Sequence, residues 1–113
     1  MTHMIPEIER YSKEIKALCE RYRVRALYLF GSAATGRFSA TTSDLDFLVD
    51  LADRRPDGEY ANRYLDLADA LEQLFLRPVD LVTVQSIRNP YFKAEVEKTR
   101  QLIYEEPVTE VVV

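Results

Sequence analysis

The sequence predicts one α/β domain, with a mixed β-sheet of about four strands covered by helices. Apolar runs of strand length alternate with segments of helical periodicity, which is the pattern of a sheet with helices packed on it. The chain has 113 residues, enough for a single domain with a core of its own. Its composition, 47% hydrophobic and 30% charged, is that of an ordinary soluble globular protein.

Helices are predicted over residues 5–22, 60–76 and 90–100. In the first, apolar side chains recur at steps of three and four residues, which places them on one face. They are Ile5, Ile8, Tyr11, Ile15, Leu18 and Tyr22. The second helix repeats this pattern and is stopped by Arg77-Pro78. The third begins at Asn89-Pro90, an N-cap residue followed by a proline at the first helical position.

Strands are predicted over residues 24–30, 44–51, 79–84 and 102–104, from their apolar runs and their alternation. The second and third strands are expected to be neighbours in the sheet. Between the first two strands, residues 32–37 are expected to form a short helix or turn, and 38–43 a loop rich in Ser and Thr. Residues 107–113 are expected to form a tail, and two roles stay open for its three terminal valines: pairing on a sheet edge or contact with a partner.

The bulk properties exclude several classes of protein. The net charge of −4 makes direct nucleic-acid binding unexpected, because such binding depends on Lys and Arg neutralising phosphates. No apolar run approaches the roughly 20 residues that span a bilayer, so no membrane segment is expected. The single cysteine, Cys19, rules out an intrachain disulfide, and a cytoplasmic location is the default. Its thiol is expected to be packed on the apolar side of the first helix.

Three carboxylates lie at the starts of two predicted strands. Asp44 and Asp46 are two residues apart and therefore point to one face of the second strand. Asp80 is the second residue of the third strand, in an otherwise apolar run where Asp is disfavoured. Carboxylate oxygens are ligands that Mg²⁺ prefers, and three of them suit a two-metal site. In such a site Asp80 would also help to deprotonate an attacking hydroxyl.

A Gly-Ser turn follows the first predicted strand. Gly31 lets the backbone approach a phosphate closely, and free N–H groups of the turn can cradle it. Ser32 adds a hydroxyl donor, Gly36 a second flexible point, and Arg37 a cation within reach of a triphosphate.

Each of these signals is weak alone. Gly-Ser occurs in many loops, Asp-x-Asp can be a solvated strand end, and a single Asp can simply end a strand. The joint order is more specific: a strand, Gly-Ser, eleven intervening residues, Asp-x-Asp opening a strand, and an Asp in a later strand. Together they indicate a site for a nucleotide and a metal.

The same residues resemble the nucleotidyltransferases of the DNA polymerase β superfamily, and more closely the minimal nucleotidyltransferase proteins. The matching segments are Phe30-Gly31-Ser32, Gly36, Ser43 to Val49, Val79 to Val82, and Asn89 to Phe92 with Gln101 to Glu105. The resemblance implies a single domain over 1–113, with an N-terminal helix 5–22, a catalytic core 24–105 and a tail 107–113.

For the site, the resemblance implies transfer of a nucleoside monophosphate from an NTP, with two Mg²⁺ ions held by Asp44, Asp46 and Asp80. Gly31, Ser32, Gly36, Arg37 and Ser43 would bind the nucleotide. The family often has a basic residue inside its Gly-Ser-x-x-x-Gly segment, where this chain has Ala33, Ala34 and Thr35, and Arg37 is expected to substitute for it.

For the biological role, the resemblance implies an antitoxin that transfers AMP from ATP to a tyrosine of a HEPN-domain toxin, in a hetero-oligomer. The short chain is consistent with an acceptor supplied by another protein. Two alternatives stay open. One is transfer to a small-molecule hydroxyl, as on an aminoglycoside, bound at a dimer interface. The other is a non-catalytic subunit that neutralises its partner by binding.

Overall fold

One four-stranded sheet organises the part of the chain that the structure describes. The computed structural model describes residues 6–31, 34, 44–51 and 58–107. Its helices are α1 (Pro6–Arg10), α2 (Ser12–Arg21), α3 (Gly58–Phe75) and α4 (Pro90–Thr99). Its strands are β1 (Val24–Phe30), β2 (Leu45–Leu51), β3 (Val79–Thr83) and β4 (Gln101–Glu105).

The sheet has the strand order β3-β2-β1-β4. β1 pairs antiparallel with both β2 and β4, whereas β2 and β3 are parallel. The predicted mixed sheet and the predicted pairing of the second and third strands are therefore confirmed. Because β2 and β3 are parallel neighbours, the residues that open each of them meet at one end of the sheet.

The predicted helix over 5–22 is present as two segments, α1 and α2, which are interrupted at Tyr11. Tyr11 has φ −102° and ψ 21°, outside the α-helical range. The hydrogen bonds nevertheless continue through it, from the Tyr11 amide to the Glu7 carbonyl at 3.0 Å and from the Ile15 amide to the Tyr11 carbonyl at 2.8 Å. The apolar periodicity is unbroken across this local bend, which is why it predicts a single helix.

Other boundaries shift by one or two residues. α3 begins at Gly58, and β3 ends at Thr83, one residue before the predicted end. Val84–Ser86 form a 3₁₀ turn instead, in which the Ser86 hydroxyl donates to the Thr83 carbonyl at 2.8 Å. The predicted cap of α4 is confirmed, because the Asn89 side chain accepts hydrogen bonds from the next two free amides of the helix.

The two faces of the sheet are covered unequally. On one face α1, α2 and α3 pack against β1 and β2 in a large core that includes Ile15, Leu29, Phe47 and Leu71. On the other face a small cluster of Phe30, Leu48 and Val96 lies beneath α4. Asp46 lies two residues before Leu48 along β2, so the two side chains point to the same face of the sheet, the one beneath α4. The site residues therefore sit on the more thinly covered side of the sheet.

Cys19 is fully buried within the larger core, as the sequence predicts. Burial, assisted by the charge of Glu20, raises the pKa of its thiol to about 12. Among the helices of the described ranges, none combines the length and the apolar character needed to cross a membrane. The expectations for Ile5 and for the tail beyond Pro107 lie outside the described residues.

Candidate functional site

Two aspartates meet at the end of the sheet where β2 and β3 begin. Asp46 and Asp80 are each the second residue of their strand, and the parallel register pairs them directly. Adjacent strands lie about 4.8 Å apart, and paired residues point to the same face. Asp44, two residues before Asp46, directly precedes β2 and is exposed. The sequence-predicted carboxylates thus share one region of the surface.

The central carboxylate is electrostatically strained. Asp46 is half-buried, and its pKa is raised from 3.8 to about 6, mainly by loss of hydration. The negative charges of Asp80 and then Asp44 contribute the rest of this rise. A cation placed among these groups would relieve both the burial and the repulsion.

The donor set fits a hard divalent cation such as Mg²⁺, because all three side chains offer carboxylate oxygens. Across the described ranges, however, no three His, Cys, Asp or Glu side chains are assembled closely enough to hold a metal ion as they stand. Asp44 and Asp80 are exposed. Their negative charges repel one another, and a bound cation would offset this repulsion.

Gly31 lies against this carboxylate. It follows the last residue of β1, and Phe30 is the register partner of Asp46. Gly31 has φ +72°, a left-handed conformation that favours glycine. A Cβ added there would meet the Asp46 Oδ2 atom at 2.5 Å. The left-handed backbone therefore favours glycine at this position, and an added side chain would also displace the Asp46 carboxylate.

The turn after β1 is held at both ends by residues that the sequence reasoning missed. The Gly31 amide donates to the Thr99 hydroxyl at 3.4 Å, and the Gln101 side-chain amide donates to the Ala34 carbonyl at 2.6 Å. Ala34 itself is buried in the larger core. The contacts join residues 67 and 68 positions apart, so no local sequence signal could have revealed them.

The remaining predicted nucleotide-binding residues, Ser32, Gly36, Arg37 and Ser43, lie outside the described residues. Of that predicted group the structure describes Gly31, and it brings Gly31 into contact with Asp46. The position of Arg37, the expected substitute for the family's basic residue, is therefore not among the described geometry.

A mostly apolar groove lies between α3 and the later part of β3. It has a volume of about 460 Å³ and is lined mainly by Tyr60, Tyr64, Leu65, Leu81, Val82 and Thr83. The Tyr64 hydroxyl donates to the Leu81 carbonyl. Burial and the nearby Asp80 charge raise the pKa of Tyr64, which keeps its hydroxyl protonated.

Known proteins resemble this chain over most of its length. The model of the nucleotidyltransferase domain family matches residues 12–103. A protein of Methanocaldococcus jannaschii named as a putative protein adenylyltransferase is 38% identical over 88% of this chain and 93% of its own. A second protein of that organism with the same designation is 34% identical over 86% of this chain and 89% of its own.

Solved structures share the fold. An MNT antitoxin complex with a tri-AMPylated Shewanella oneidensis HEPN toxin matches with a TM-score of 0.60 and 22% identity, covering 88% of this chain and 73% of that one. A toxin–antitoxin structure with AMP-PNP matches with a TM-score of 0.62 and 24% identity, covering 84% and 73%. The family model and the relatives match this chain in sequence, and the solved structures match it in fold. The chain therefore belongs to the nucleotidyltransferase domain family.

Proposed function

We propose that the chain is an Mg²⁺-dependent adenylyltransferase that transfers AMP from ATP to a tyrosine hydroxyl of a HEPN-domain toxin and acts as its antitoxin. The observation that carries this proposal is the pairing of Asp46 with Asp80 beside the Gly31 turn. It occurs in a nucleotidyltransferase domain whose relatives are named for adenylyl transfer to protein. A structural neighbour is a complex of such an antitoxin with an AMPylated HEPN toxin.

Asp44, Asp46 and Asp80 would hold the divalent cations. Bound there, Mg²⁺ would neutralise the negative charge that develops on the phosphates during transfer. Asp46 is the central member, because both other carboxylates act on its pKa. The same charges that raise this pKa in the free protein would bind a cation when one is present.

The turn after β1 would hold the triphosphate. Gly31 lets the backbone pass close to Asp46, so a phosphate bound to the turn would lie near a cation held by the carboxylates. Four further residues would complete the nucleotide site. Ser32 would donate its hydroxyl, and Gly36 would give the turn a second flexible point. Arg37 would place a cation near the triphosphate, and Ser43 would contact the nucleotide from the loop. ATP as the donor agrees with the AMP-PNP complex of the structural neighbour.

The transfer is an in-line displacement at the α-phosphorus. A bond forms between the tyrosine oxygen and the α-phosphorus, the bond from that phosphorus to the bridging oxygen breaks, and pyrophosphate leaves with the electron pair. The phenolic proton must depart as the bond forms. Asp80 is exposed at the start of β3 and can accept it, whereas Asp46 is half-buried.

The acceptor would come from a second protein. The helices of the described chain pack on the sheet, and none of them covers Asp80, which is exposed. An exposed carboxylate is accessible to a hydroxyl on another protein's surface, so a hetero-oligomer with the toxin completes the site. An ATP-consuming enzyme of this kind would work in the cytoplasm.

Intact mass spectrometry tests the proposal. The chain is incubated with ATP, Mg²⁺ and a HEPN-domain protein, and that protein should gain one or more AMP units. A complex that forms without any gain in mass would instead support neutralisation by binding alone. Transfer to an aminoglycoside, with none to the partner, would support the small-molecule alternative.

Variants separate the site from the fold. Asp44→Asn and Asp46→Asn should each abolish the mass gain while the chain stays folded, because each replacement removes a charged cation ligand. Asp66→Asn is the matched control, since Asp66 is exposed on α3. Transfer that persists in both site variants would contradict the assignment of the metal ligands.

A further inference from the structure

The junction between α4 and β4 holds the turn that follows β1. We propose that Thr99 and Gln101 are positioning residues that fix the phosphate-binding turn against Asp46. This inference rests on the proposed function, since it concerns how that site holds a nucleotide. Neither residue would touch the substrate; both would act through the backbone of Gly31 and Ala34.

Thr99 holds the first end of the turn. Its hydroxyl donates to the Glu95 carbonyl at 3.0 Å and accepts from the Gly31 amide at 3.4 Å. A hydroxyl has only one proton, so the bond to Glu95 leaves its lone pairs directed to Gly31. The last turn of α4 is thereby tied to the residue that passes Asp46.

Gln101 holds the other end. Its side-chain amide donates to the Ala34 carbonyl at 2.6 Å, and the Ala34 amide donates to the Gly31 carbonyl at 3.2 Å. Gly31 and Ala34 are therefore hydrogen-bonded to each other, and each is also bound by one of the two positioning residues. The buried Ala34 methyl group, 1% exposed, anchors it to the core as a third point.

The residues that hold the turn are themselves fixed. Gln101 pairs with Leu29 in the sheet, two residues before Gly31. Arg100, between the two positioning residues, donates its amide to the Val96 carbonyl at 2.8 Å, and its guanidinium lies 4.8 Å from the centre of the Tyr28 ring. The junction cannot shift without disturbing the helix end and the sheet.

This arrangement sets the spacing between two parts of one site. The triphosphate would bind the turn, while the cations would bind the carboxylates. The distance between the turn and the carboxylates would therefore decide whether the nucleotide and the cations fit the site together. If the turn loses an anchor, it samples other positions, and the nucleotide binds less tightly. The carboxylates would still bind the cations, so losing an anchor of the turn would mainly lower the affinity for the nucleotide.

The main test compares Thr99→Val with Thr99→Ser. Val keeps the branched shape but has no hydroxyl, whereas Ser keeps the hydroxyl. We expect the Kd of a fluorescent ATP analogue with Mg²⁺ to rise about tenfold in Thr99→Val and to stay within about twofold of wild type in Thr99→Ser. In the transfer reaction, the KM for ATP should rise more than kcat falls.

That pattern distinguishes positioning from a general loss of stability. A variant that is only less stable has fewer folded molecules, which lowers the apparent kcat and leaves KM unchanged. Thermal melting is measured on every variant to establish how much of each is folded at the assay temperature.

A second variant keeps the inference testable if Thr99→Val does not fold. Gln101→Met has a similar length without the amide donor and should also weaken analogue binding by about tenfold. Gln73→Met makes the same change on the exposed face of α3, where the Gln73 side-chain amide donates to Asp69. This variant should bind the analogue as wild type does.

The outcomes separate this inference from the proposed function. If wild type binds the analogue and both Thr99→Val and Gln101→Met bind it within about twofold of wild type, the positioning role is wrong and the proposed function stands. If folded wild-type protein binds no analogue with Mg²⁺, the proposed function is wrong and the positioning role falls with it.

Discussion

The backbone of Gly31 passes so close to Asp46 that an added methyl group would lie 2.5 Å from the Asp46 Oδ2 atom. Gly31 also has φ +72°, so a larger residue there is strained by its own conformation as well as by the contact. The two penalties have different causes and can be measured separately.

Gly31→Ala is expected to lower the free energy of unfolding by about 1–2 kcal/mol from the left-handed conformation, and further from the clash with Asp46. Urea denaturation measures this change. In an Asp46→Ala background the methyl group no longer meets the carboxylate, so the cost of Gly31→Ala should be smaller there. An equal cost in both backgrounds would show that the contact contributes nothing.

The raised pKa of Asp46 predicts that the folded protein becomes less stable as the pH rises, in buffer without metal. Its folded pKa of about 6 lies above the ordinary value of 3.8. The folded state therefore keeps a proton that the unfolded state has lost, and the free energy of unfolding falls as the pH rises from about 4 to about 6. Asp46 is partly exposed, so solvent screening keeps this change in the free energy of unfolding below the full value of the pKa shift.

Asp46→Asn removes this titration. With EDTA present, the variant should be more stable than wild type at pH 8 and similar to it at pH 4, as measured by urea denaturation across that range. Asp69→Asn, on the exposed face of α3, should leave the pH profile unchanged. Parallel profiles for wild type and Asp46→Asn would refute the expected strain at Asp46.

Asp80→Asn tests the division of roles among the carboxylates. Asn keeps the size of the side chain but cannot accept a proton, and it is a weaker cation ligand. We expect the rate of AMP transfer to fall at least a hundredfold, since proton transfer by a positioned group typically contributes that much or more. Binding of the ATP analogue with Mg²⁺ should fall much less, because Asp44, Asp46 and the turn remain.

The control for Asp80→Asn is again Asp66→Asn, which should transfer AMP at the wild-type rate. If Asp80→Asn transferred AMP as fast as wild type, Asp80 would be neither an essential ligand nor the proton acceptor. If it bound no nucleotide at all, its role would be in binding and not in the transfer step.

The sequence could predict the sheet because the apolar runs of β1, β2 and β3 are long and clearly bounded. It also predicted the neighbouring positions of β2 and β3, although the direct pairing of Asp46 with Asp80 depends on register, which the spacing along the chain does not determine. The contacts of Thr99 and Gln101 could not be predicted either. They join residues far apart in the chain through hydrogen bonds, and such bonds leave no periodic pattern in the sequence.

The smaller errors have local causes. The hydrophobic period continues through Tyr11, so it could not reveal the bend between α1 and α2. Val84 has high strand propensity, but the hydroxyl of Ser86 binds the Thr83 carbonyl and turns the chain out of the sheet.

Cys19 should be chemically inert in the folded protein. Its thiol is fully buried and has a pKa of about 12, so almost no thiolate is present at neutral or mildly alkaline pH. Labelling with a thiol reagent at pH 8 should be slow in buffer and fast in denaturant. Cys19→Ala should keep AMP transfer at the wild-type rate and lose roughly 1–2 kcal/mol of stability through lost packing. Rapid labelling of the native protein would contradict the packed position.

Asn89 stabilises the helix that carries Thr99. Its side-chain oxygen accepts from the Tyr91 amide at 2.8 Å and from the Phe92 amide at 3.2 Å, which satisfies two donors at the start of α4. Asn89→Ala should therefore lower the free energy of unfolding by about 1 kcal/mol in urea denaturation, and Asn89→Asp should preserve most of it.

A matched control lies within α3. Asn62 is exposed inside that helix, where Ala is the better helix former, so Asn62→Ala should be neutral or slightly stabilising. If Asn89→Ala and Asn62→Ala had the same effect, the cap would contribute nothing. If Asn89→Ala also weakened nucleotide binding, the loss would reach the turn after β1 through Thr99, because α4 is the element that carries the Thr99 hydroxyl to Gly31.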